Sequence, residues 1–536
     1  MSELALALDL RAELETPLYR QVYAQIRMAI LTGRVRSHQK LPSSRQLAKS
    51  LGLSRTTVTQ SYDQLISEGY LQTRQGAGTF VCAQIPDELL TLPEQRTSDE
   101  PTDCLTSGLT SGLTGPLQPE LPALSTYGDR LSHTADFTYE KDCPLSFRYG
   151  LPDMSLFPIQ QWRRLLSRQH SASTEWMDYS AAPTGHAPLR EQIARYISQV
   201  RAVRCTPEQI LITNGTQQAL DLAVRVLINP GEAIAIENPG YLSGRRIFRA
   251  GGASLLPVAV DAEGIKIEGP DGLVQMAANQ PLKRMPKLVY VTPSHQFPTG
   301  VLMSLSRRLA LLQWAQQNNA LIIEDDYDSE FRYSGRPIPA LQGLDTSDRV
   351  LYMGTFSKLM FPGLRIGYVV LPVPLIPLFQ RAKWLCDRQG ALIDHFALAD
   401  FIGEGHLAKH IRRMRTVYEG RRQVLVSELK NISENAKTLN GGMRQSAEIL
   451  GDEAGLHVVA RLPSQKSVPN VIEQARVQGV SLFSTRPYYW HPPHSPEDQP
   501  HDVPPLKPVN SEFIFGFGAI NEAEIKTAIA RIQPLL

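Results

Sequence analysis

The chain has 536 residues, 42% hydrophobic and 20% charged, with a net charge of +2. That is ordinary soluble composition, and the chain is too long for one hydrophobic core. No apolar run is long enough to cross a bilayer, and residues 1–11 carry acids where a secretory leader would be basic, which speaks against a membrane or secreted protein.

The cysteines Cys82, Cys104, Cys143, Cys205 and Cys386 are scattered singly. Such spacing fits neither a disulfide framework nor a zinc site, and it points to a reducing cytoplasm. The charge is unevenly spread. Residues 16–81 hold nine Lys/Arg against two acids, the electrostatic footprint of a polyanion binder. Leu18, Val22, Ile26, Ala29 and Ile30 recur at helical spacing, ending at Gly33. Ser43 or Ser44 can cap a short helix over residues 45–51. Gly52-Leu53-Ser54 then turns the chain, and Ser54 can cap a second helix running to about Ser67. This predicts a helix-turn-helix with Val58, Tyr62, Leu65 and Ile66 facing inward. Ser54, Arg55, Thr56, Thr57 and Thr59 fall at the N-terminal end of the second helix, where a recognition helix meets base edges and phosphates. Strand-like residues from Thr73 and Arg74 to Val81 flank Gly76-Ala77-Gly78, predicting a β-hairpin wing. Residues 12–82 are thus expected to form a DNA-binding domain.

Residues 83–143 read as a flexible linker. Acids outnumber bases eleven to three, prolines recur, and Leu105-Thr106-Ser107-Gly108 repeats at once as Leu109-Thr110-Ser111-Gly112. Such composition rarely packs a core.

Over residues 144–536 helical patterns alternate with short apolar runs. These are Ile210-Leu211-Ile212, Ala233-Ile234-Ala235-Ile236, Leu288-Val289-Tyr290-Val291, Leu321-Ile322-Ile323, Val350-Leu351-Tyr352-Met353 and Ile366-Gly367-Tyr368-Val369-Val370. Strands spaced by helices predict an α/β fold with a mostly parallel sheet, whose ligands gather at the carboxyl ends of the strands. Chemistry-bearing residues follow these runs. Gly215-Thr216-Gln217 opens a helix and offers free backbone N–H groups to a phosphate. Tyr241 places a ring where it can stack on a flat heterocycle. Asp325 suits a pyridinium nitrogen, with the Tyr327 phenol two residues on. Thr355, Ser357 and Arg365 surround Lys358, whose amine can condense with an aldehyde while its neighbours hold a phosphate.

The order of these groups resembles a fold-type I aminotransferase of the kynurenine/aminoadipate branch. Residues 41–81 resemble the winged helix of GntR-type regulators. Together they resemble the MocR/GabR family, which joins such a reader to an aminotransferase-like dimer. The resemblance implies pyridoxal 5'-phosphate as cofactor, with Lys358 as its catalytic Schiff-base residue and Asp325 as its pyridinium partner. It implies Tyr327 at the ring oxygen, Tyr241 stacked on the ring, and Gly215, Thr216, Gln217, Thr355, Ser357 and Arg365 at the phosphate. Tyr179 would reach the cofactor phosphate of a neighbouring subunit. Arg45, Ser54, Arg55, Thr56, Thr57, Arg74, Gly76 and Gly78 would contact operator DNA. The expected partners are double-stranded DNA, a second copy of the chain, and an amine, amino acid or pyridoxal phosphate itself as effector.

Two positions depart from the active aminotransferases. Phe297, in His295-Gln296-Phe297-Pro298-Thr299-Gly300, replaces the asparagine that bonds the ring oxygen, and Ile514 stands where an arginine usually holds the substrate carboxylate. Arg486 is the substitute for that arginine. Both departures resemble the regulator branch. A working aminotransferase with an accessory DNA-binding domain is the alternative, separated by steady-state production of a keto acid. Loss of the cofactor is a third possibility, opposed by Lys358 with Asp325. His491, His494 and His501 read as a Pro-rich loop without metal-ligand spacing. Arg412-Arg413-Met414-Arg415 with Arg421-Arg422 reads as a solvated helix face, with neutralisation of DNA phosphates as the alternative.

Overall fold

The computed structural model describes residues 8–10, 16–74, 76–83, 85, 123–132, 134, 142–172, 174–179, 183–280, 285–335, 338–440, 447–462, 467–490 and 512–536. The chain divides into two units, residues 1–118 and 119–536.

In the first unit the helix Leu18–Leu31 buries Val22, Ile26, Ala29 and Ile30, the stripe its apolar spacing implies. The helix Ser44–Leu51 starts from Ser43, whose side chain accepts the Gln46 N–H in a capping box, and stops at Gly52 with φ 67°. Ser54 caps the helix Arg55–Ser67 by accepting the Thr57 N–H at 3.1 Å. Val58, Tyr62 and Leu65 are buried against the first helix, whereas Ile66 is only half-buried. The strands Leu71–Arg74 and Gly78–Val81 pair antiparallel, with Arg74 opposite Gly78.

Part of the expected linker, residues 86–122, lies outside the described residues. Thr126–Ser132 is a helix of the second unit, and Arg130 Nε donates to the Ala250 carbonyl at 2.9 Å. The core of the second unit is an eight-stranded sheet. Its strand order is Ile210–Thr213, Gly367–Val370, Val350–Thr355, Leu321–Asp326, Pro286–Val291, Ala233–Asn238, Ser254–Asp261 and Gly264–Ile265. Five strands, from Val350–Thr355 to Ser254–Asp261, run parallel, and Gly367–Val370 is antiparallel to both its neighbours. All six apolar runs are strands here, and Ser254–Asp261, interrupted by Pro257, is a further one. Alternate residues enter opposite cores: Ile323 packs with Leu288 and Tyr290, Ile322 with Val289 and Val291. The long helix His406–Asn440 precedes a four-stranded antiparallel sheet, in the order Glu448–Leu450, His457–Arg461, Glu512–Gly516, Phe483–Ser484.

Candidate cofactor site and nucleic-acid interface

The site residues of the second unit gather at the carboxyl ends of the parallel strands. Strand alternation continues past Ile323, so Asp325 faces the side of Tyr290 while Glu324 and Asp326 face the other. Tyr290 Oη donates to Asp325 Oδ2 at 2.8 Å, and Asp325 Oδ1 is buried without a partner. Burial pushes the Asp325 carboxyl up to about 6. Lys358 is half-buried just past the end of Val350–Thr355, and its Nζ donates to the Gly150 carbonyl at 2.6 Å. Burial lowers the pKa of this ammonium, against the pull of Asp328 and Asp325.

Thr355, Gly367 and Thr213 lie abreast on three paired strands, which brings the phosphate candidates together. Gly215 has φ 82° and begins the helix Thr216–Leu227, which no side chain caps. A Cβ on Gly215 would stand 2.8 Å from Arg365 Nη2, and one on Gly367 would stand 2.9 Å from Gly215 Cα. Both positions therefore need glycine for close approach. Arg365 Nη2 donates to the Asn214 carbonyl at 2.9 Å, and Thr355 Oγ1 donates to Ser357 Oγ at 3.1 Å.

An aromatic cage adjoins Lys358. Tyr149, next to Gly150, touches Phe297, Phe483 and Tyr488, and its hydroxyl is hydrogen-bonded to that of Tyr488. Tyr241 meets Phe297 edge-on at 5.8 Å, and Val459 and Ile514 complete the apolar wall. The Tyr327 hydroxyl is engaged by the His295 carbonyl at 2.9 Å. Arg486 is exposed on the turn Arg486–Tyr488, and from that turn it is Tyr488 that faces Phe297. Arg245 fixes the segment by donating to the Pro487 and Tyr489 carbonyls at 2.8 and 3.2 Å. Tyr179 is 71% exposed, with the Arg388 guanidinium 4.7 Å from its ring centre.

Sequence reasoning did not single out Tyr149, Gly150, Tyr290 or Asp328. Asp328 lies within the 324–333 motif, but the Gly150–Lys358 contact joins positions 208 apart and has no local signal. His295 pairs with Asp328 at 3.0 Å and lies beside His457. His457 Nε2 donates to the Pro298 carbonyl at 2.9 Å, while His295 Nε2 and Asp328 Oδ1 are buried without a hydrogen-bond partner. His491, His494 and His501 lie outside the described residues.

In the first unit Arg45, Ser54, Arg55, Thr56, Arg74, Gly76 and Gly78 are exposed, and Thr57 is half-buried by its capping role. The guanidinium of Arg74 lies 5.0 Å from the Phe80 ring centre, and Lys40 Nζ 5.9 Å from it, so two cations lie against one aromatic ring of the wing.

Residues 150–478 match the family described as aminotransferase class I and II, and residues 18–81 match the bacterial regulatory proteins of the gntR family. The chain is 36% identical over 488 residues to the probable rhizopine catabolism regulatory protein MocR of Rhizobium meliloti, covering 91% of this chain and 90% of that protein. It is 32% identical to the HTH-type transcriptional regulator TauR of Rhodobacter capsulatus, covering 95% and 94%. Among solved structures, kynurenine aminotransferase of Pyrococcus horikoshii, in complex with PMP, is similar with a TM-score of 0.63 and 28% identity, over 77% of this chain and 94% of that one. The α-aminoadipate aminotransferase LysN of Thermus thermophilus, complexed with N-(5'-phosphopyridoxyl)-L-leucine, is similar with a TM-score of 0.60 and 25% identity, over 73% and 91%.

Proposed function

The chain belongs to the MocR/GabR family of GntR-type transcription regulators, and from that membership we propose that it senses an amine, an amino acid or pyridoxal phosphate through its second unit and relays this to operator DNA. The observation that carries the reading is one polypeptide with an exposed basic winged helix and a half-buried lysine close to a buried carboxylate. The residues present fit pyridoxal phosphate. The unpartnered Asp325 Oδ1 suits a protonated ring nitrogen, and the glycine-lined start of Thr216–Leu227 beside Arg365 suits a phosphate.

When bound, the cofactor supplies an aldehyde to an amine and an electron-withdrawing ring. Lys358 is the amine the chain itself offers, and its lowered pKa favours the neutral, nucleophilic form. Asp325 would hold a ring nitrogen in its protonated form, with Tyr290 orienting the carboxylate. Thr355, Ser357, Arg365 and the amides after Gly215 would hold the phosphate. The side chains of Phe297 and Ile514 can neither hydrogen-bond nor pair with a carboxylate, which favours sensing over rapid turnover. An effector amine would compete with Lys358 for the aldehyde, and Asp325 and Asp328 lie close enough to act on the charge of the lysine. A second copy of the chain would bring two readers to one operator and raise their effective concentration.

Effector and DNA affinities must then be reciprocally linked. The test is operator binding by the full-length protein with and without candidate amines. Effector should shift operator affinity in wild type, and Lys358→Ala should keep basal DNA binding but lose the shift. A full response in Lys358→Ala would show that sensing bypasses the lysine. Sustained keto-acid production from an amino donor would favour the enzyme reading.

A further inference from the structure

The second unit carries another cavity, of about 560 Å³, large enough for a metabolite. It lies on the face of Leu321–Asp326 away from Asp325: Arg201, which binds Asp326 at 2.7 Å, forms part of its wall. Arg308, Arg332, Arg412 and Arg415 also line it. Arg412 and Arg415 stand three apart on His406–Asn440 and so share a face.

The charges in this wall do not balance. Arg201 is matched by Asp326, and Arg308 by Glu324 at 3.8 Å. Arg415 gives two N–H groups to the Glu330 carbonyl, an uncharged acceptor, at 3.2 and 2.9 Å. Among the described residues Arg332 and Arg412 form no ion pair, and Arg332 Nε is buried without an acceptor. Two acids are at hand. Glu330 accepts the Tyr196 hydroxyl at 2.9 Å and is pushed up to about 7 by burial, while Glu453 acts on Arg332 without a contact. Gly335, with φ 72°, makes room for Arg332: a Cβ there would stand 2.7 Å from its guanidinium. Arg332 is half-buried and Arg412 exposed, so both forks are open to a ligand, and the planar fork of a guanidinium matches carboxylate and phosphate. Ile338, Ile411 and Ala454 give the remaining wall an apolar surface.

We propose that this cleft binds a small organic oxyanion, a carboxylate or a phosphate ester, at a site separate from the cofactor's. Arg201 also donates to Ser294 Oγ, beside His295, so an anion in the cleft lies one layer of side chains from the cofactor strand.

The test is isothermal titration of the cofactor-loaded full-length protein with sodium phosphate and, separately, sodium citrate, against sodium chloride at equal ionic strength. Saturable binding of either is expected, weakened at least about tenfold in Arg332→Gln/Arg412→Gln, as loss of two charged forks implies. Phosphate alone or citrate alone identifies the oxyanion. Heats that do not saturate, or that saturate equally in the double variant, overturn the proposal. So does release of cofactor in step with binding, which would place the anion in the cofactor's own site. An unchanged visible cofactor band certifies the fold of the double variant; if it does not fold, Arg412→Gln, on the exposed helix face, carries the same comparison.

Discussion

Asp325 is a buried carboxylate with one oxygen bonded to Tyr290 and the other facing no partner. Its pKa rises from 3.8 to about 6 through burial, so between those values the folded chain binds a proton that the unfolded chain releases. Its charge therefore costs stability above pH 6, and the cost fades as the pH falls. In cofactor-free protein, Asp325→Asn should stabilise the fold by roughly 1–3 kcal/mol at about pH 8 and by almost nothing near pH 4. The same variant should bind cofactor more weakly. Thermal melts across this range check the sign, and an equal gain at both ends would show that the charge is not the cause. Lys358→Ala should remove the visible absorption of the loaded protein, and an unchanged spectrum would sink the assignment of Lys358.

Two helix starts carry the function at the level of elements. The helix Thr216–Leu227 begins at a glycine whose φ of 82° and closeness to Arg365 leave no space for a side chain. Gly215→Ala should therefore raise the cofactor dissociation constant about tenfold or more, through strain and a displaced Arg365. Equilibrium dialysis would measure this, and unchanged retention would remove Gly215 from the phosphate cradle. The helix Arg55–Ser67 starts from Ser54, which spends its hydroxyl on Thr57 and leaves Arg55 and Thr56 exposed. Arg55→Ala should cost ~1–3 kcal/mol on specific operator DNA, as a base-edge contact does. Arg45→Ala should weaken binding to all DNA and flatten its salt dependence, as a phosphate contact does. Gel shifts on specific and random DNA distinguish them; equal losses on both would give Arg55 a phosphate role.

At the scale of the whole molecule, Tyr179 matters because it is exposed, with the Arg388 guanidinium 4.7 Å from its ring centre. That suits a residue serving a neighbouring subunit. Sedimentation of the loaded protein should show a dimer of the 59.6 kDa chain. Tyr179→Ala should weaken cofactor retention while leaving the dimer's mass unchanged. A monomer at micromolar concentration would remove the basis for paired readers.

The sequence by itself determined what depends on neighbours along the chain. Ser43, Gly52 and Ser54 punctuate the reader because caps and left-handed turns are local chemistry. The six apolar runs became strands because burial on both faces demands continuous hydrophobic stretches. The motifs around Gly215, Asp325 and Lys358 were legible since each closely follows an apolar run. The tertiary structure alone decided the rest. Pro257 hid the strand Ser254–Asp261, whose backbone is recruited by pairing with Ala233–Asn238. The antiparallel direction of Gly367–Val370 follows from a short return through Arg365, with no helix long enough for a parallel crossover. Gly150 meets Lys358, Tyr488 meets Phe297, and Arg332 shares a cavity with Arg412 only because distant segments converge. No local pattern encodes such meetings, since they arise from packing and not from propensity.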